Sequence, residues 1–168
     1  MIAKVLVGTL FVLGSLQAQN HLTKSATERY FDVVRANLEE GADAMPAEKY
    51  SFRLTEGQMT FAEWLIHAIQ RNYRDCAVLR GESTPDLEKQ AASLKGKPEV
   101  FKALKDSFVY CEQALAQTTD QKAGSSPEMA YAFLHLVVHN NEIYGNIVGY
   151  LRVSGILPPS TARRQKGR

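Results

Sequence analysis

"HLVVHNNEIYGNIVGYLRVSGILPP", residues His135–Pro159, decides how the rest of the chain is read. Two histidines, His135 and His139, stand one helical turn apart. Glu142 follows them, and the stretch closes on Gly155, Pro158 and Pro159. At about 100° per residue, His135, His139, Glu142 and Asn146 share an arc of about 60°. Leu136, Val137, Val138, Ile147, Val148 and Leu151 spread over much of the remaining circumference. A helix that is apolar nearly all round is heavily buried, so other helices must cover it. The polar stripe is then either a strip facing water or the lining of a pocket, and periodicity alone favours water.

The covering helices are written in the flanking sequence. Ser126 and Pro127 are an N-cap and a first-turn proline, so the helix of the opening stretch starts there and runs to about Ser154, where Gly155 stops it. Ser25 and Glu28 form a capping-box pattern that opens a first helix through Tyr30, Phe31, Val33, Val34 and Leu38 to Gly41. Thr60 and Glu63 form a second, which opens a helix through Trp64, Leu65, Ile69 and Tyr73 to Gly81. Pro85–Leu94 predicts a short helical turn, and Pro98 opens another long helix carrying Val100, Phe101, Leu104, Phe108 and Leu115. No segment sustains strict alternation, so no strand is expected. The expectation is an all-α four-helix bundle with one long crossover connection.

A chain of 168 residues with 45% hydrophobic and 23% charged side chains suits one domain with a real core. Its N-terminus differs from the rest. Lys4, an apolar run Val5–Leu16, and Gln17–Ala18–Gln19 read as a secretory signal peptide over residues 1–19. No other segment approaches the ~20 apolar residues of a spanning helix, so an exported protein, periplasmic or extracellular, is expected without a membrane span. The bundle then occupies residues 20–160. Residues 161–168, with Arg163, Arg164, Lys166 and Arg168, read as a basic, solvated and disordered tail. The net charge of +2 falls to +1 once Lys4 is removed, which gives no electrostatic case for nucleic acid. Export permits a disulfide between Cys76 and Cys111, while each is equally readable as a small buried apolar residue.

On the second long helix, His67 lies with Glu63, Arg71 and Arg74, opposite the Leu65–Ile69–Cys76 face. Neutral imidazoles from two helices suit a divalent ion, which commonly takes three protein ligands and keeps a position open. His135 and His139 are a usable i, i+4 pair with Glu142 on the same strip. Glu63 already has a complete role in its capping box.

Ala47–Cys76 (AEKYSFRLTEGQMTFAEWLIHAIQRNYRDC) and His139–Ser160 (HNNEIYGNIVGYLRVSGILPPS) together resemble the DinB-like family, a group of helical bundles that includes metal-dependent hydrolases and thiol-dependent transferases. The resemblance rests on a histidine in an F-x-E-W/L-x-x-H setting and on H-x-N-E-H-Y-G-N followed by Y-L-R-x-x-G-I-x-P-P. It implies a four-helix bundle holding a divalent metal (zinc, nickel, iron or manganese) on three histidines, one from helix two and two at i, i+4 from helix four. Carried over by position, these are His67 and His139, and the third falls on Ile143, which has no lone pair to offer. His135 would replace it by moving the site about 6 Å along the helix. Glu142 is the other substitute, one residue from the lost ligand but about 100° round the helix. A weak, incomplete or vacant site is the remaining outcome.

The expected function is therefore that of an exported DinB-like protein acting on a small molecule through a degenerate metal site. The competing expectation is a non-catalytic binding or structural bundle that has lost the metal. A homodimer is an expected assembly. A role in DNA repair is opposed by the near-neutral charge and the lack of a basic face.

Overall fold

Thr60 and Glu63 do what their spacing predicts: the Glu63 N–H donates to Thr60 Oγ1 at 3.2 Å, and the Thr60 N–H donates to Glu63 Oε2 at 2.6 Å. Ser126 likewise accepts from the Met129 N–H at 3.1 Å, with Pro127 at the first helical position. Gly155, at φ 76°, ends that helix in a Schellman motif, with Ile156 N–H on the Leu151 carbonyl and Gly155 N–H on that of Arg152. In the computed structural model, which describes residues 22–167, these signals bound two of seven helices. In chain order they are α1 (Leu22–Ala44), α2 (Phe61–Arg80), α3 (Leu87–Gln90), α4 (Gly96–Ala116), α5 (Asp120–Ala123), α6 (Pro127–Val153) and α7 (Pro159–Lys166). Among the described residues there is no strand, and no helix is long and apolar enough to cross a membrane. The leader expected over residues 1–19 lies outside the described residues.

Three boundaries differ from the sequence reading. Helix α1 is already formed at Ser25, which is exposed inside it, so the Ser25–Glu28 pair is not its start. A distant carboxylate serves the first turn instead, Asp120 Oδ1 accepting the Lys24 N–H at 2.6 Å. Gly41 does not stop α1 either. A Cβ there would lie 3.4 Å from Leu151 Cδ1, so the glycine brings α1 close to α6 while the helix continues to Ala44. Helix α4 starts at Gly96, two residues ahead of Pro98.

Side-chain pairs fix the helix directions. Cys76 is bonded to Cys111 and Asn72 to Ser107, so α2 and α4 run parallel. Asp75 meets His135 and His67 meets His139, so α2 and α6 run antiparallel. The first turn of α1 meets Asp120, just before α6 begins, and Gly41 meets Leu151 near the end of α6, so α1 and α6 run parallel. The order is up, down, down, up. Helices α1 and α2 occupy opposite corners, each packed between α4 and α6. The link between parallel α2 and α4 has to return along the bundle, and α3 is folded into it.

The core contains Phe31, Leu38, Phe61, Leu65, Ile69, Leu104, Phe108, Leu136, Ile143, Ile147 and Tyr150, all at or below 2% exposure. The disulfide joins α2 to α4 within it across a separation of 35 residues, which settles the two readings of Cys76 and Cys111 in favour of pairing. Three polar side chains lie beside it. Asn140 Nδ2 donates to Asn72 Oδ1 at 2.7 Å and to the Leu136 carbonyl at 2.7 Å. Asn72 Nδ2 donates to Ser107 Oγ at 3.0 Å, and Ser107 Oγ to the Leu104 carbonyl at 2.8 Å. Since buried amides are costly unless bonded, this chain joins α2, α4 and α6 at one level and in one register.

The basic end of the chain is not a disordered tail over the residues described. Residues 159–166 form α7, which packs on α1. Its first turn is held by Tyr144, whose hydroxyl accepts the Ser160 N–H at 3.1 Å and donates to Ser160 Oγ at 2.9 Å. Arg163 pairs with Glu40 and Asn37 of α1. Charge alone suggested a solvated end; the two carboxamide and carboxylate partners on α1 are separated from it by more than a hundred residues and give no local signal.

Replacing Cys76 and Cys111 together by alanine is expected to lower the unfolding free energy by about 3–4 kcal/mol, from the loop entropy released. Asn140→Ala is expected to cost about 2 kcal/mol by leaving the buried Asn72 oxygen without its donor. Urea denaturation of each variant checks both values.

Candidate metal centre

Helices α2 and α6 carry the histidines, and the antiparallel register set by Asn72 and Asn140 brings those histidines face to face. Five residues before Asn72 on α2 is His67, and next to Asn140 on α6 is His139. Their Nε2 atoms lie 3.0 Å apart, with the rings nearly perpendicular at 82°. Glu142 Oε2 lies 3.2 Å from His139 Nδ1. The network assigns the protons: His139 donates Nδ1–H to Glu142, so its Nε2 accepts the Nε2–H of His67. Two nitrogens sharing one tetrahedral ion at about 2.0–2.1 Å each lie a little over 3 Å apart, so the pair is close to the spacing of two ligands.

His135 is engaged elsewhere. Its Nδ1 lies 2.7 Å from Asp75 Oδ2, and Asp75 Oδ1 accepts from Arg71 at 3.0 Å. The Arg71 guanidinium is also 3.3 Å from the same Nδ1, but a nitrogen that donates to Asp75 does not also accept from arginine. Asp75 is 4% exposed, so its charge is paired on both oxygens. The His135 ring is stacked between Tyr131 at 4.8 Å and His139 at 4.6 Å, which fixes its plane. Among the described residues, no three histidine, cysteine or carboxylate side chains converge on a common point suited to an ion.

The polar stripe of α6 therefore lies along the α2–α6 seam, and is neither a fully solvated strip nor a lining inside the bundle. The side chains of His135 and His139 are 18% and 15% exposed. His67 opens on its other side to a groove of about 470 Å³ lined by Arg53, Gln58, Met59, Glu63 and Gln70. Glu63 remains with Thr60, whose backbone N–H and then side chain hold its carboxyl below the usual range. Ile143, at 0% exposure, is part of the core.

Burial lowers the pKa of His67, helped by the positive charges of His139 and Arg71. Burial also lowers that of His139, against the raising effect of its hydrogen bond to Glu142. Both rings are held neutral near pH 7, the state in which imidazole ligates metals.

Asp75, Asn72, Asn140 and Ser107 are the residues that sequence reasoning missed. Asn72 falls among Ile69 and Cys76 on the buried face of α2, so an amide inside an apolar periodicity was the available signal. Asp75 lies one turn beyond Arg71 on the seam side, but nothing local names a histidine 60 residues away as its partner.

Comparison with known proteins gives one match. The family model of the DinB superfamily covers residues 30–142, a span that includes His67, His139 and Glu142. No curated protein and no solved structure matches the chain. With two thirds of its length matched, the chain belongs to the DinB superfamily.

Proposed function

We propose that this protein binds a divalent metal ion (zinc, nickel, iron or manganese) through a reduced histidine site, with His67 and His139 as its two donors. The observation that carries the reading is the 3.0 Å approach of two neutral imidazole nitrogens across the α2–α6 seam. Glu142 supports it from behind, because a carboxylate on Nδ1–H fixes the tautomer that directs the Nε2 lone pair toward His67. Glu142 acts in this reading as an orienting residue and not as a ligand. Asp75 holds His135 in the same way, but aims Nδ1 at α2 and keeps that histidine out of the pair.

When bound, the ion would supply Lewis-acid polarisation or an activated water or thiol. The chain's own residues bind and orient. His67 and His139 present nitrogen, Arg71 keeps Asp75 in place, and the groove beside His67 offers room for a small-molecule substrate against Arg53, Gln58 and Gln70. The Cys76–Cys111 disulfide and the leader-like N-terminus support an exported protein.

A second reading is favoured by one observation. Ile143 fills its core position completely, as in a bundle that retains the fold for binding or structure without a metal.

The two readings separate by titrating zinc or nickel into metal-free protein and following both bound metal and melting temperature. The metal reading expects a rise of several degrees, lost in His67→Ala and in His139→Ala. An unchanged melting temperature with no metal retained after dialysis would establish the second reading. Ile143→His, which places a third imidazole one turn after His139, is expected to tighten metal binding by at least tenfold.

Acid should weaken both binding and stability. Because folding depresses the pKa of His67 and His139, their neutral form is favoured in the folded state. Stability is complete above the unfolded value of about 6.5 and is lost as pH falls through the folded values. Melting temperatures between pH 7.5 and 5 are expected to fall more steeply for the parent protein than for the double variant His67→Ala, His139→Ala.

A further inference from the structure

Arg53 is fixed at its backbone and loosely held at its head. On one side of it the Phe52 carbonyl accepts the Phe61 N–H of α2 at 2.9 Å. On the other, Leu54 is seated on α6, where a Cβ on Gly149 would lie 3.2 Å from Leu54 Cδ1. The far end of the loop is tied down as well: the Tyr150 hydroxyl of α6 donates to the Met59 carbonyl and accepts the Trp64 Nε1–H at 3.3 Å. The guanidinium has no such partners. Its Nη1 lies 3.4 Å from the Glu56 carbonyl, and its Nη2 lies 3.9 Å from Glu63 Oε2, beyond hydrogen-bond reach. Glu63 already accepts the Thr60 N–H at 2.6 Å, so it is committed to its capping box. Most of the N–H donors of Arg53 are therefore unspent.

We infer that the groove beside His67 takes a small monocarboxylate with an apolar body, its carboxylate paired with Arg53. This inference rests on the reading that the groove holds the protein's small-molecule ligand, and it names the class of that ligand.

A planar guanidinium matches a carboxylate because the two can form parallel hydrogen bonds. Arg53 is the one permanent cation among the described residues that line this groove of about 470 Å³. Met59, Ile66 and Ala92 line it too, and they offer carbon to an apolar body. Glu56 and Glu63 set the limit on charge. One guanidinium shared with two carboxylates leaves nothing to neutralise a second anionic group, so a dianion is opposed where a monoanion is accepted. The anchored loop lowers the cost of binding, since only the Arg53 side chain remains to be ordered.

The test follows the fluorescence of Trp64, the chain's only tryptophan, whose ring centroid lies 6.5 Å from that of His67. Hexanoate, hexanamide, adipate and hexylamine are titrated into the full chain, first metal-free in chelator and then with zinc, and calorimetry on the same samples detects binding that the indole does not sense. Hexanoate is expected to saturate without zinc, and the other three to bind about tenfold more weakly or worse. Arg53→Gln should weaken hexanoate by about tenfold, leave hexanamide unchanged and keep the parent's melting temperature, since the side chain is 47% exposed. Arg53→Lys should fall between the two, because an ammonium keeps the charge and loses the planar fork.

No saturable binding of hexanoate by either measurement would overturn the inference. So would equal affinity for hexanoate and hexanamide, or a hexanoate affinity indifferent to Arg53→Gln. Tighter binding of hexylamine would give the groove to Glu56 and Glu63, with the same result. Hexanoate bound only with zinc, and unaffected by Arg53→Gln, would make the carboxylate a metal ligand, which overturns the Arg53 site and leaves the metal reading standing. Hexanoate bound through Arg53 in protein that retains no zinc would support the site and remove the metal reading.

Discussion

One buried amide contact sets the working geometry of this molecule. Asn140 Nδ2 donates a hydrogen bond to Asn72 Oδ1 across the α2–α6 interface, and Asn72 Nδ2 donates one to Ser107 Oγ of α4. In an apolar core such groups have no acceptable alternative partner, so a slide of either helix by one turn would strand them. Apolar surfaces alone would tolerate that slide far better, because methyl groups do not discriminate between registers with comparable sharpness. The histidines one turn away inherit the register. His67 meets His139, and Asp75 meets His135, because Asn72 and Asn140 are already committed to each other.

The helices themselves were readable from local chemistry. The Thr60–Glu63 box, the Ser126–Pro127 start and the Gly155 stop each act through atoms only a few residues apart, and each behaves as its spacing demands. The failures share a different cause. Helix α1 runs through Ser25 and Gly41, since its first turn is served by Asp120 and its glycine is placed for close approach to Leu151. Helix α7 exists because Tyr144, Glu40 and Asn37 receive it. In every case the deciding group is remote in sequence, and local patterning carries no trace of it.

The candidate site divides along the same line. His67 and His139 were named by family position, and the structure sets their Nε2 atoms 3.0 Å apart. Of the visible i, i+4 pair, His135 is engaged by a buried carboxylate on another helix, which local sequence does not announce. The stripe looked solvated by periodicity for a related reason. Helix α6 is apolar over so much of its surface that its polar arc had no single outward direction to mark, and the antiparallel partner α2 took part of it.

The disulfide has a consequence for the integrity of the chain. Cys76 and Cys111 close a covalent loop around the end of α2, the whole connection that carries α3, and most of α4. Backbone cleavage anywhere on the exposed stretch Gly81–Thr84 would therefore open a ring without releasing a fragment. Both pieces would stay tethered at the point where α2 and α4 lie side by side, one turn from Asn72 and Ser107. The protein is built so that scission of its return path, exposed over Gly81–Thr84, separates nothing.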